Sequence, residues 1–143
     1  MSHPVEILLP CPVAGFDVLA AAVLAHRLYP ASAVVRPERL RPSAKSFLAL
    51  HKDRFPLREL RDVDFGAARR VVLVGLRHAA EIAVFSKLAF RVEAADPDLE
   101  LHVIDHRRAS PEDVAATLEI VEPVGALTTL VVEALEDRGI DID

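Results

Sequence analysis

The segment Arg70-Val-Val-Leu-Val-Gly75 constrains the fold more than any other part of the chain. Its interior is apolar on both faces and mostly β-branched, the pattern of a central strand in a parallel sheet with helices on either side. Shorter runs share this character. Val5-Glu-Ile-Leu-Leu9 ends at Pro10-Cys-Pro12 and reads as a buried strand leaving the sheet into a constrained loop. Ala33 to Arg36 and Glu100 to Asp105 read as further strands, Phe55 to Leu60 as a minor edge strand, and Glu119 to Val124 as a last one.

Helical patterns lie between the strands. Asp17 stands where an N-cap belongs, and Leu19, Ala22, Val23 and His26 recur at helical spacing until Tyr29-Pro30 stops the run. Pro42 to Lys52 forms a second helix, with proline early and Phe47, Leu48 and Leu50 as its apolar side. Ala79 to Ala89 is a third, and Gly125 to about Asp137 the last. This alternation predicts an α/β doubly wound fold: a mostly parallel sheet of five or six strands, right-handed crossovers and helices on both faces. Ligands in such sheets sit outside the carboxyl ends of the strands. Three loops fall there: Pro10 to Asp17, Gly75 to His78, and Asp105 to Arg108.

A chain of 143 residues that is 52% hydrophobic suits one domain with a substantial core. Its alanine-rich stretch from Val18 to Ala25 is far too short to span a bilayer, so no membrane association is expected. Without a basic, apolar and small-residue pattern at the start, a cytoplasmic location is the expectation. The single cysteine, Cys11, excludes an internal disulfide and a zinc site built mainly of thiolates. The net charge of −5 is unevenly spread: Arg36 to Arg61 holds eight Lys/Arg against three Asp/Glu, and Glu93 to Asp143 three against fourteen. The basic middle is either a solvated helix face with its loops or a surface that meets a nucleotide or RNA.

Four segments, Leu9 to Ala21, Leu73 to Arg77, Val103 to Arg108 and Glu122 to Leu130, resemble in order the motifs of the DHH phosphoesterase family. Phe16-Asp-Val-Leu-Ala20, Leu28-Tyr-Pro30 and Ser46-Phe-Leu-Ala-Leu-His-Lys52 carry a narrower likeness. They are similar to the N-terminal domain of large bacterial proteins that join a DHH module to paired CBS domains and a poly(A) polymerase or tRNA nucleotidyltransferase module. The resemblance implies a two-metal site in which carboxylates and imidazoles hold two divalent cations that activate water and neutralise phosphate. The chain departs from that pattern. Cys11 stands where the first histidine is expected, Gly15 where the first aspartate is, and Gly75 where a bridging aspartate would serve both metals; the third motif reads Asp105-His106-Arg107. Measured against the family, residues 1–143 make a single DHH-like domain without the last aspartate motif and the C-terminal substrate-binding domain.

Asp17, Asp105 and His106 remain as remnants of a metal site, or as a helix N-cap and a hydrogen-bonded pair at a strand end. Arg107 and Arg108 are candidates for gripping an anion bidentately, as well as ordinary surface residues. Gly125, Thr128 and Thr129 open the last helix, where N–H groups and hydroxyls receive a phosphate, or where glycine lets helix and sheet approach. Cys11, with no histidine placed to activate it, reads as structural. The favoured expectation is a non-catalytic DHH-like domain with no cofactor, binding nucleotide or RNA through Arg36 to Arg61, or binding a protein partner or a second copy. One alternative is a phosphoesterase with a reduced site using Mn²⁺ or Mg²⁺; another is an N-terminal piece of a tRNA nucleotidyltransferase or poly(A) polymerase.

Overall fold

The computed structural model describes residues 5–51, 57–107, 110–121 and 126–140. Strand β1 (Glu6–Pro10) is followed by the two-residue β2 (Val13–Ala14), helix α1 (Phe16–Ala25), β3 (Ala33–Val35) and the two-residue β4 (Arg39–Leu40). Next come α2 (Pro42–His51), β5 (Leu57–Arg58), a 3-10 turn (Leu60–Asp62), β6 (Arg70–Val74) and the one-turn α3 (Ala79–Ile82). The chain ends with α4 (Ser86–Glu93), β7 (Glu100–Asp105), β8 (Leu118–Val121) and α5 (Leu127–Asp137). Six strands form one parallel sheet in the order β5-β3-β1-β6-β7-β8.

This order explains where the helices go. From β1 the chain winds outward through α1 to β3 and through α2 to β5, then returns to β6 on the other side of β1 and winds the opposite way. Right-handed crossovers put α1 and α3–α4 on opposite faces, and the terminal helix α5 returns to the face of α1. Leu8, Val72, Val74 and Ile104 accordingly pack with Ala21, Ala22 and Ala25 of α1 and Leu127, Leu130, Val131 and Leu135 of α5. Ile7, Leu9, Val71, Leu73 and Val103 face the other way, onto Ile82, Phe85 and Leu88. Both faces of β6 are therefore core, as its uniform apolar sequence requires.

Several local expectations are corrected. The N-cap of α1 is Gly15, not Asp17, which falls in the first turn. The third helix breaks into α3 and α4 before Phe85, whose non-helical backbone leaves its ring buried 5.7 Å from that of Phe65. On α2 the buried residues are Ala44 and Leu48, packed on Leu19, whereas Leu50 is 81% exposed. The last helix starts at Leu127, and Gly125 lies outside the described residues. Strand β5 occupies only Leu57–Arg58 and β8 only Leu118–Val121; Phe55, Pro56 and 122–124 also lie outside. Sequence periodicity missed the parallel β2–β4 pair, which joins the loop after β1 to the loop after β3.

At the amino end of the sheet, Tyr29 places its hydroxyl 2.8 Å from Nδ1 of His102, both side chains being buried. Burial, helped by nearby Arg70, pushes the His102 imidazole below its ordinary value. No helix among the described residues is long and apolar enough to cross a membrane.

Candidate functional site

The direction of winding reverses between β1 and β6, and the loops leaving the carboxyl ends of β1, β6 and β7 meet beside that reversal. The N–H of Cys11 donates to Val74 O at 3.0 Å, and that of Gly75 to Ile104 O at 2.9 Å, so the three loops share one backbone frame.

Gly75 has φ of +79°, a conformation that a side chain strains. A Cβ there would lie 3.0 Å from Leu127 Cδ1, 3.6 Å from Val18 Cγ2 and 3.8 Å from Cys11 Cβ. The room that a bridging carboxylate would need is filled by the first residue of α5. At Gly15 a Cβ would come within 3.3 Å of the Arg41 side chain, which lies across that position.

Asp17 has a different task from the one its sequence position suggests. Helix α5 begins after Ala126, which has no side chain able to cap it. Its first N–H groups instead donate to Asp17: Leu127 to Oδ2 at 2.9 Å and Thr128 to Oδ1 at 3.0 Å, with the Thr128 hydroxyl donating as well. Burial works to raise the carboxyl of Asp17, but the donors of Thr128 and Leu127 and the charge of His106 outweigh it and hold the group below the usual range. The helix start that could receive a phosphate already receives an internal anion. Thr129 is exposed on the same turn.

A second network ties β6 to β7. Asp105 is fully buried; its Oδ1 accepts the His106 N–H at 3.0 Å and its Oδ2 accepts Arg107 Nε at 2.9 Å. The other edge of the Arg107 guanidinium reaches Glu81 Oε1 at 2.8 Å. Glu81 also accepts the backbone N–H groups of Arg77 and His78, each at 3.1 Å. Burial alone would raise Glu81, yet Arg107 and these two donors lower it, and the same two carboxylates hold Arg107 charged against its own desolvation. Beside this, Arg77 is only 3% exposed and sets Nη2 2.9 Å from Asp113 Oδ2, with Glu119 at 3.7 Å. Asp113 Oδ1 lies 2.8 Å from His78 Nδ1, so the two buried atoms satisfy each other when that nitrogen carries a proton. Arg108 lies outside the described residues.

The remnant positions are thus near one another but engaged. Asp17 caps a helix, Asp105 holds Arg107, and His106 acts on Asp17 through its charge. Among the described residues no three His, Cys, Asp or Glu side chains are grouped so as to hold a metal ion. The described donor set does not fit a pair of divalent cations, which need several oxygen or imidazole ligands each.

The other half of the carboxyl edge is built differently. Arg36 follows β3, and its N–H donates to Arg58 O of β5 at 2.8 Å; Arg39 opens β4, Arg41 follows it, and Lys45 lies one turn beyond Arg41 on α2. With Arg61 in the 3-10 turn these make six cations on adjoining elements. None forms an ion pair with a described residue, and five of them are exposed, Arg36 being half-buried. Lys52 and Arg54, of the same basic segment, lie outside the described residues.

No family model matches the chain. Over 130 residues, 90% of this chain, it is 33% identical to the A-adding tRNA nucleotidyltransferase of Geobacter sulfurreducens. The crystal structure of an exopolyphosphatase-related protein from Bacteroides fragilis superposes with a TM-score of 0.61 over 94% of this chain, at 16% identity. Both comparisons fit a DHH-like domain. The match spans 14% of the nucleotidyltransferase and 39% of the exopolyphosphatase-related chain, so the DHH-like domain corresponds to a fraction of either relative. The structural likeness bears on the fold alone.

Sequence reasoning missed Arg77, Glu81 and Asp113. Glu81 had a local signal, since it stands three residues after His78, the spacing at which a glutamate returns to the N-cap backbone. Arg77 and Asp113 had none, because they meet only through the tertiary fold.

Proposed function

We propose that this DHH-like domain is a non-catalytic module that holds RNA by its phosphates, along the strip formed by Arg36, Arg39, Arg41, Lys45, Arg58 and Arg61. The observation carrying this reading is the contrast in charge use. Arg77 and Arg107 are neutralised by carboxylates of the protein, whereas the six cations of the strip have no such partner among the described residues. Free guanidinium and ammonium groups on one face are the footprint of a polyanion site. The relative named as a tRNA nucleotidyltransferase supports RNA as the polyanion, and a place for this chain as one piece of such a protein. Arg107, Arg108, Thr128 and Thr129 are secondary in this reading, because Arg107 and the start of α5 already hold internal anions.

The test is binding of a single-stranded or tRNA-like RNA across a range of salt. Affinity is expected to fall steeply as salt rises, and Arg39→Glu, Arg41→Glu and Lys45→Glu together are expected to flatten the log–log slope by about 2. Binding indifferent to salt overturns the reading. The non-catalytic part is tested separately: with Mn²⁺ or Mg²⁺ the protein is expected not to hydrolyse dinucleotides, single-stranded RNA or pyrophosphate. Turnover that disappears in Asp17→Ala would contradict it.

A further inference from the structure

The basic strip ends at a cavity that the proposal above does not use. It opens at the carboxyl ends of β1, β3 and β5, has a volume of about 200 Å³, and is lined by Leu9, Pro10, Pro12, Val35, Arg36, Pro37, Glu38, Glu59, Leu60 and Phe85. This is smaller than the roughly 300–1,000 Å³ of pockets for drug-sized ligands, and suits a flat fragment such as one nucleobase. It is also separate from the loops after β6 and β7, because no residue of the Arg77 or Asp17 networks lines it.

Its lining has two parts. Pro12, Pro37, Leu60 and Phe85 give apolar walls of the kind against which an unstacked base is held. Arg36, Glu38 and Glu59 give the polar groups, and none of the three side chains has a hydrogen-bond or ion-pair partner among the described residues. Ionised carboxylates accept hydrogen bonds and cannot donate them. They select a base edge that offers neighbouring donors. Guanine presents two, its ring N1–H and its amino group, side by side. Adenine and cytosine set an acceptor nitrogen beside their amino group, and uracil flanks its one N–H with two carbonyls, so each would turn a lone pair toward a carboxylate. Arg36, also in the lining, supplies a positive charge for the phosphate of the same nucleotide.

We infer that this cavity takes one unpaired guanine nucleotide, with Glu38 or Glu59 accepting from the pairing edge of the base and Arg36 meeting its phosphate. The inference rests on the RNA reading of the strip and gives it a base preference, which contacts to phosphate alone cannot provide.

The experiment is calorimetric or NMR titration of the whole chain with the 5′-monophosphates of guanosine, adenosine, cytidine and uridine, and with inorganic phosphate, at constant ionic strength. Guanosine monophosphate is expected to bind about tenfold more tightly than the other three nucleotides, and inorganic phosphate more weakly still. Glu38→Gln and Glu59→Gln, both exposed and without side-chain partners among the described residues, are made singly and checked for an unchanged melting curve. At least one should erase the preference for guanine while leaving the salt slope of RNA binding intact. Equal binding of all four nucleotides, or of phosphate alone, overturns the inference, as does a guanine preference that survives both substitutions. No mononucleotide binding alongside salt-dependent RNA binding sinks the guanine site and spares the strip. Loss of both sinks the two together.

Discussion

The two halves of the carboxyl edge of the sheet use the same residue types in opposite ways. Over β6 and β7, arginines and carboxylates face each other: Arg77 with Asp113, and Arg107 with Glu81 and Asp105. Over β3, β4 and β5, arginines stand without such partners among the described residues. The difference shows that charge count along a sequence says little about available charge. Arg107 sits in the acidic C-terminal third of the chain and is neutralised there, while the described cations of the basic middle segment form no ion pair with a described residue. The side chains over β6 and β7 are paired within the protein, and the cations over β3 to β5 are those for which we propose an outside ligand.

The contrast breaks first, and with the largest effect, at Arg77. Arg77→Met removes one member of a buried pair and takes the guanidinium from Asp113, whose side chain is 9% exposed and keeps only His78 and the Ser110 N–H among its described partners. Stability in a denaturant titration should drop by about 3–5 kcal/mol. The triple reversal of Arg39, Arg41 and Lys45 should cost under about 0.5 kcal/mol per site, because those side chains are exposed and form no ion pair with a described residue. If both variants lost stability equally, the division between a scaffold half and a binding half would be wrong.

Gly75→Asp sharpens the comparison by restoring the carboxylate that the resemblance seeks. It forces a side chain into the left-handed region and against Leu127, at a cost of about 1–3 kcal/mol. Tight Mn²⁺ binding should not return, since Leu127 and Arg107 still occupy the surroundings. Calorimetry showing two tightly bound Mn²⁺ ions in that variant would mean the site is intact but for one residue.

A smaller effect is expected at Asp17. Asp17→Ala removes the only carboxylate at the start of α5 among the described residues, and should cost about 0.5–2 kcal/mol, as loss of a helix cap does. The sign with pH follows from the lowered value of this group. The unfolded chain binds the proton more readily, so the contribution is complete above an ordinary aspartate value of about 4 and is lost as pH falls through the folded value. Melting curves of wild type and Asp17→Ala should converge as pH drops below about 4. A gap between them that is constant with pH would refute the capping role.

The sheet was legible because buried parallel strands announce themselves: the Val-Val-Leu-Val run of β6 and the proline that ends β1 left little choice. The β2–β4 pair was not, because two residues carry no periodicity and the pairing depends on where β1 and β3 end. The break at Phe85 was hidden for a similar reason, since only the core on that face of the sheet shows why the ring must leave the helix. At the site, sequence located the loops and the positions of Gly15 and Gly75 within them. It could not reveal that Leu127 fills the space over Gly75, or that Asp17 serves a helix 110 residues away. Contacts at that separation leave no trace in local pattern.

Residue-resolved NMR during titration with a short single-stranded RNA tests the division of the edge most directly. Amide shifts should move at Arg36, Arg39, Arg41, Lys45, Arg58 and Arg61, and stay in place at Asp17, Gly75 to Glu81 and Asp105 to Arg107. Shifts centred on the second group, with the basic strip silent, would contradict the account.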